Sequence, residues 1–338
     1  MPDLDIAVVI VTYKSAQLTI DSLRAVAAER ATPGLSIRAI VVDNDSGDLQ
    51  AIAPAVAENN WSPWVSLVAA PKNGGFAYGN NLGIRQAYAH SPPDYVYLLN
   101  PDAFVRPGAI GTLVDFLQTH PDVGIAGSSF EDFDGSDWPF AFRFPGLLSE
   151  LSQGIGFGPV SKVLRRWEVP QRMTKTRQPI DWICGASMLI RPAVLATIGG
   201  LDENYFLYFE ETDFCLRARR AGFATWYVPE SRVMHIRGGS TQVSSSETVP
   251  KRLPAYWFES RRRYFATSHG IPYAIVIDLV ALLANIAGTL KRTLLGRTRT
   301  ATPHLISDLV HHSLIWPRNR ALPPVSCFIP SQSTKGQL

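Results

Sequence analysis

Five short stretches carry side chains that could do chemistry. "YVYLLNPDAF" ends an apolar run on Asn100-Pro101-Asp102. A lone carboxylate there can hold a divalent cation between two phosphate oxygens, or it can simply close a turn. "FLYFEETDFCLRARRAG" sets Glu210, Glu211 and Asp213 at the start of a helix. Acids complement the positive end of the helix dipole, and the same place mounts a general base. "VVDNDSG" puts Asp43 and Asn44 after a second apolar run, where a carboxylate can accept a ribose hydroxyl or a base N–H. "PKNGGFAYGNNLG" combines Asn73, Gly74 and Asn80 with glycines that let a ligand approach the backbone closely. His235, in "VMHIRGGS", reads either as a ligand or as a buried polar residue. Neither common nucleotide fingerprint is present: "TYKSAQ" stands where G-x-G-x-x-G would follow the first strand, and there is no G-x-x-x-x-G-K-[ST].

The elements that must position these groups alternate. Apolar runs at Ile6–Thr12, Ser36–Asp43, Val65–Ala69 and Tyr95–Asn100 predict strands, with helices at Ala16–Glu29 and Phe76–Ala89. Continuous apolar strands separated by helices imply a parallel sheet covered on both faces, with ligands beyond the C-terminal strand ends. The polar residues named above, together with Thr12 and Tyr13, then gather at one rim. The stretch from Asp122 to Val233 is more mixed, with strands expected at Asp181–Ile190 and Ala224–Val228. Helices are expected at Ala255–Ser268 and Pro272–Leu290, and a Pro/Ser/Gln-rich tail after Trp316.

The 338 residues are 46% hydrophobic and 18% charged, enough apolar material for a large core. From Lys251 onward there are 12 Lys/Arg against 3 Asp/Glu, about +9, which with a net charge of +3 leaves about −6 for the first 250 residues. Such a basic end suits a membrane surface or a nucleic acid, but no aromatic-interleaved or helix-turn-helix context supports the latter. Three cysteines without metal-ligand spacing exclude a disulfide scaffold and point to a reducing compartment. "MPDLDIAVVIVTYK" reads as a first strand, not a signal peptide, which places the chain in the cytoplasm. "YAIVIDLVALLANIAGTLKR" is nearly long enough to span a bilayer, but Asp278 interrupts it. An interfacial or core-packed helix fits better, with Arg261–Arg263 and Lys291-Arg292 as a flanking basic patch.

Taken in order, "VVIVTYK", "VVDNDS", "NGGFAYGNN", "LLNPDA", "GASMLIRP", "GGLDENYFLYFEETDFCLRARRAG" and "HIRGGS" resemble glycosyltransferase family 2, in its bacterial rhamnosyltransferase-like branch. The resemblance covers roughly residues 6–240, and "RRRYFATSHG" extends it to about 270. It implies an α/β fold of the GT-A kind, Rossmann-like with a mostly parallel sheet flanked by helices, over 1–250. A helical region would follow over 251–316 and a flexible tail over 317–338. It also implies an inverting transferase using a nucleotide-diphospho-sugar, dTDP-rhamnose in this branch, and a divalent cation, Mg2+ or Mn2+. The acceptor would be a glycan or a polyprenyl-linked sugar, the enzyme peripheral at the inner face of the cell membrane.

Carried over by position, Thr12, Tyr13 and Asp43 would hold base and ribose. Asn44, Asn73, Gly74, Asn80 and Asn100 would line the nucleotide pocket, and Asp102 would bind the metal with His235 as a second ligand. Glu211 would be the catalytic base, with Glu210 and Asp213 binding acceptor hydroxyls or orienting it. Asn100 departs from the family's first metal-motif acid, and Glu211 is one methylene longer than the usual Asp. Two alternatives stand beside this reading: an inactive nucleotide-sugar-binding module and a sugar-phosphate nucleotidyltransferase.

Overall fold

The computed structural model describes residues 3–132, 135–138, 140–236, 251–296 and 302–330. Residues 237–240 of "HIRGGS" and 331–338 of the expected tail lie outside these. The first half alternates regularly: β1 (Leu4–Thr12), α1 (Ala16–Glu29), β2 (Leu35–Asp43), α2 (Leu49–Glu58), β3 (Val65–Ala69), α3 (Gly75–His90) and β4 (Tyr95–Leu99). Next come β5 (Ala103–Val105), α4 (Ala109–Thr119), β6 (Val123–Glu131), β7 (Asp137–Trp138), β8 (Phe140–Phe142), α5 (Leu147–Ile155), α6 (Gly158–Leu164), β9 (Pro170–Arg172) and β10 (Gln178–Ile180). The order closes with β11 (Ser187–Ile190), α7 (Pro192–Ile198), α8 (Glu210–Arg220), β12 (Ala224–His235), α9 (Ala255–His269), α10 (Ile271–Leu294) and α11 (Leu305–His312).

One sheet runs β10-β12-β6-β11-β4-β1-β2-β3, with β5 added to β12 and β7 to β6. The β4-β1-β2-β3 half is parallel, as continuous Val/Ile runs buried on both faces require. Register therefore delivers Thr12, Asp43 and Ala69 side by side at one edge, and Leu99 beside Ile10. The other half is mixed, because β11 runs antiparallel to both β4 and β6.

Two differences from the expected strands shape the site. Only the second half of Asp181–Ile190 is strand. Residues 181–186 form a loop, since the Asp181 carboxylate accepts from Phe144 N at 2.9 Å and Arg219 Nη1 at 3.0 Å and draws the chain off the sheet. β12 runs on to His235 instead of stopping at Val228, with a register shift between Val228 and Arg232 that lets it continue along β6 and pick up β5.

The C-terminal helices form a second apolar cluster, in which Tyr264, Phe265, Ala274 and Ile277 meet Tyr205 and Leu216. The basic run expected as a surface patch is mostly internal. Arg261 is buried, with Asp278 at 2.7 Å and Glu150 at 2.8 Å, and Arg263 is buried against Asp202. Lys291 donates to Ile155 O at 2.8 Å, at the end of α5. Charges this deep must be paired, which is why the two arginines turn inward. The tail is also less loose than its composition suggests. Gly200 N donates to Phe328 O at 2.7 Å, Glu203 N to Ser326 O at 2.7 Å, and Arg263 Nη1 to Pro323 O at 2.8 Å.

Candidate active site

Asp102 and Glu211 approach one another across a single loop. Asn100 N donates to Ala186 O at 3.3 Å, and the neighbouring Gly185 N donates to Glu211 Oε1 at 3.2 Å. Burial, then the charges of Glu211 and Asp102, push up the thiol of Cys184 in the same loop. Gly185 is where the approach is tightest: a Cβ there would stand 2.7 Å from Phe76 Cζ and 3.3 Å from Glu211 Cγ.

On the metal side, β5 pairs antiparallel with β12 so that His235 lies opposite Ala103, the residue after Asp102. His235 Nε2 is 3.4 Å from Asp102 Oδ1, and both side chains are almost fully buried. The Asn100 Oδ1 atom is also buried and has no hydrogen-bond partner among the described residues. A carboxylate, an imidazole and an amide oxygen suit a hard divalent cation. No group of three or more His, Cys, Asp or Glu placed to hold a metal ion exists among the described residues, so such an ion would take its remaining ligands from substrate oxygens and water.

The acids of α8 occupy three different environments. Glu210 is 1% exposed, and its Oε2 has no hydrogen-bond partner among the described residues. Burial, then the adjacent Glu211 charge, holds its carboxyl well above the usual range. Glu211 is partly exposed and accepts the Gly185 N–H, and burial raises it too. Both carboxyls are therefore raised, Glu210 the further of the two, and the adjacent pair titrates as a unit. Asp213 is expected at the acceptor, but its carboxylate accepts from Arg217 Nε at 2.7 Å. Arg217 in turn donates to Ile198 O at 2.8 Å and Gly200 O at 2.9 Å. Asp213 thus braces the turn that leads to the site.

Backbone strain precedes α8. Tyr208 and Phe209, both bulky, have φ of 71° and 67°, in the left-handed region. Each such residue costs on the order of 1 kcal/mol or more and persists only where surroundings enforce it. One enforcing contact is Phe76 N donating to Phe206 O at 2.9 Å. It requires glycine at Gly75, where φ is +85° and a Cβ would overlap the Phe206 carbonyl.

At the nucleotide rim the expected residues divide. Asp43 Oδ1 accepts from Ser46 N at 2.9 Å and Oγ at 2.6 Å, closing its own turn. Asn44 donates to Asn73 Oδ1 at 2.9 Å and accepts from Gly74 N at 3.3 Å, tying two strand-end loops together. Asn80 donates back to Phe76 O at 2.9 Å. Thr12 is buried on Asp48, whose Oδ2 also accepts from Ser15 N at 2.9 Å. Tyr13, 39% exposed, is left facing solvent, with Lys14 Nζ 5.2 Å from its ring. Asp48 and Gly185 are the residues that sequence reasoning passed over. The first is signalled by its place just ahead of α2, the second by its glycine in "CGAS".

The sequence pattern of the family described as "Glycosyltransferase like family 2" matches residues 2–253. The chain is 30% identical over 214 residues to the N-acetylglucosaminyl-diphospho-decaprenol L-rhamnosyltransferase of Mycobacterium tuberculosis, covering 61% of this chain and 68% of that one. It is 26% identical over 164 residues to the rhamnosyltransferase WbbL of Escherichia coli K12, covering 48% of this chain and 60% of that one. The solved mannosyltransferase PcManGT of Pyrobaculum calidifontis, in complex with GDP-Man and Mn2+, superposes with a TM-score of 0.51 at 15% identity, covering 95% of this chain and 84% of that one. That likeness shows the fold, which is GT-A. With three quarters of its length matching one family and the segments at Asn100 and Glu211 held by one loop, the chain belongs to glycosyltransferase-like family 2 and is a glycosyltransferase.

Proposed function

We propose that this enzyme transfers rhamnose from dTDP-rhamnose, with inversion, to a glycan or polyprenyl-linked acceptor in cell-surface polysaccharide synthesis. The observation that carries the reading is the loop bridging Asn100 to Glu211 through Ala186 and Gly185. A loop tied to both segments supports a diphosphate site at Asp102 and a base at Glu211 flanking one monosaccharide. The likeness to two rhamnosyltransferases supports the sugar, and the polyprenyl-linked substrate in the name of one of them supports the acceptor.

Glu211, the partly exposed member of the pair and the one held by the Gly185 N–H, takes the proton of the acceptor hydroxyl. The hydroxyl oxygen attacks the anomeric carbon from the face opposite the leaving diphosphate, through an oxocarbenium-like state. Asp102 and His235, with the Asn100 amide oxygen, would hold Mg2+ or Mn2+, which when bound offsets the charge growing on the leaving group. Tyr13 and the 72–75 loop bound the nucleotide side.

A panel of nucleotide-sugars, each with Mn2+, Mg2+ or chelator and a polyprenyl-diphosphate-linked N-acetylglucosamine, tests this. Transfer from dTDP-rhamnose alone, lost on chelation, is the expected result. Donor binding with no transfer and no slow donor hydrolysis would favour the binding-module alternative. The family match leaves the nucleotidyltransferase alternative unsupported.

A further inference from the structure

α10 presents two unlike faces. Its inner face packs Ala274, Ile277, Ala281, Ala284 and Gly288 against the body of the protein, closely enough that a Cβ on Gly154 of α5 would stand 2.6 Å from that of Ala284. Asp278, the acid that interrupts the apolar run, lies on this face. Its Oδ1 takes Arg261, and its Oδ2 accepts from Leu314 N at 2.7 Å and Ser313 Oγ at 3.0 Å. By length and composition the helix could cross a bilayer. Crossing would tear a buried carboxylate from three partners, so the helix stays seated.

The outer face is apolar and open. Val276, Leu279, Leu283, Ile286, Leu290 and Leu294 are 37–86% exposed. They recur every three or four residues along about 27 Å of helix. No charged residue interrupts this line, since Asp278 points inward. Cations gather instead at its C-terminal end. Lys291 Nζ lies 5.6 Å from the ring centre of Phe157, itself 47% exposed, and Arg292 follows. α6, packed on α5 beside them, adds exposed Lys162 and Val163, with Arg165 and Arg166 just beyond. α10 and α6 carry no outward acid that could pair with these cations or set a register across a second copy of the stripe. Apolar side chains in line with a cationic end match an anionic bilayer surface.

We propose that this outer face of α10, with Phe157 and the exposed cations Lys162, Arg165 and Arg166, docks on an anionic phospholipid surface, the helix lying in the interfacial plane. The purpose rests on the lipid-linked acceptor proposed above; the binding itself needs no substrate. The test is flotation of the full chain with vesicles of phosphatidylglycerol and phosphatidylcholine, or of phosphatidylcholine alone, at low salt. Alongside it run size-exclusion light scattering and thermal melting. The wild type should float with the anionic vesicles only. Leu283→Glu/Leu290→Glu should reduce the bound fraction about tenfold with an unchanged melt, and Arg165→Glu/Arg166→Glu should reduce it in a salt-dependent way. Three results would overturn the proposal. The wild type fails to float; the leucine variant floats undiminished; or the wild type is a dimer that this variant converts to monomer. No sugar enters the experiment, so its failure leaves the transferase reading intact, and a failed donor panel leaves the membrane face intact.

Discussion

Gly185 donates its backbone N–H to Glu211 Oε1 at 3.2 Å, across 26 residues of sequence. A peptide dipole aimed at one carboxylate oxygen fixes that side chain without neutralising it, and leaves the second oxygen for the acceptor. The first prediction follows directly. Glu211→Gln keeps an oxygen for the Gly185 N–H but has no proton affinity, so turnover should fall by about 10^2–10^4. Calorimetric donor affinity should stay near wild type. Turnover within tenfold of wild type would remove Glu211 as base.

Gly185→Ala tests the same contact from the other side. The new methyl would press on Phe76 and on Glu211 Cγ at 2.7 and 3.3 Å. Relief by displacement should cost about 1–3 kcal/mol of stability in denaturant titration, with a loss of turnover exceeding the loss of donor affinity. Unchanged kinetics would mean that the loop tolerates what the packing forbids.

Burial, then the charge of its neighbour, raises the Glu210 carboxyl well above the usual range. A carboxyl whose folded-state pKa is raised binds its proton more tightly folded than unfolded. Its contribution is therefore favourable below the unfolded value and lost as pH rises toward and past the folded value. Glu210→Gln should accordingly melt higher than wild type at pH 8, with the gap closing toward pH 4. A constant gap across that range would show that charge is not the cause. Because Glu211 is raised as well, turnover should climb with pH above the ordinary carboxylate range of about 4.3.

Asp102→Ala removes the one buried carboxylate beside His235 and Asn100. Donor affinity measured by calorimetry in Mn2+ should drop at least about tenfold, while affinity in chelator stays as it was. Equal affinities in Mn2+ for variant and wild type would assign the ion elsewhere.

Arg263 and Asp202 form a buried pair that also receives the tail, through Ser326 N on Asp202 Oδ1 at 3.0 Å and Pro323 O on Arg263. Arg263→Ala strands a buried carboxylate, an expected cost of about 3–5 kcal/mol. Cys327, whose thiol faces Ile198 O at 3.7 Å, should then react faster with a disulfide reagent. A melt lowered with no change in thiol reactivity would separate the pair from the tail.

Local pattern was enough for much of this molecule. The bounds of α1, β3 and α8 follow from apolar spacing and end residues held within a few positions of each other, and the ordered loop motifs carried the family. The side of the chain on which a charge lies was not legible. Arg261 and Arg263 read as a surface patch but are buried, because their partners Glu150 and Asp202 come from 111 and 61 residues away. Asp213 read as binding acceptor hydroxyls or orienting the base, and the sequence did not show that Arg217, which also reaches the 198–200 turn, would be its partner. His235 could be read either way until β12 carried it past a register shift to Asp102. Periodicity records what each residue owes its near neighbours. Which distant partner satisfies a buried charge depends on where the sheet and helices bring the chain together, and that only the tertiary structure decides.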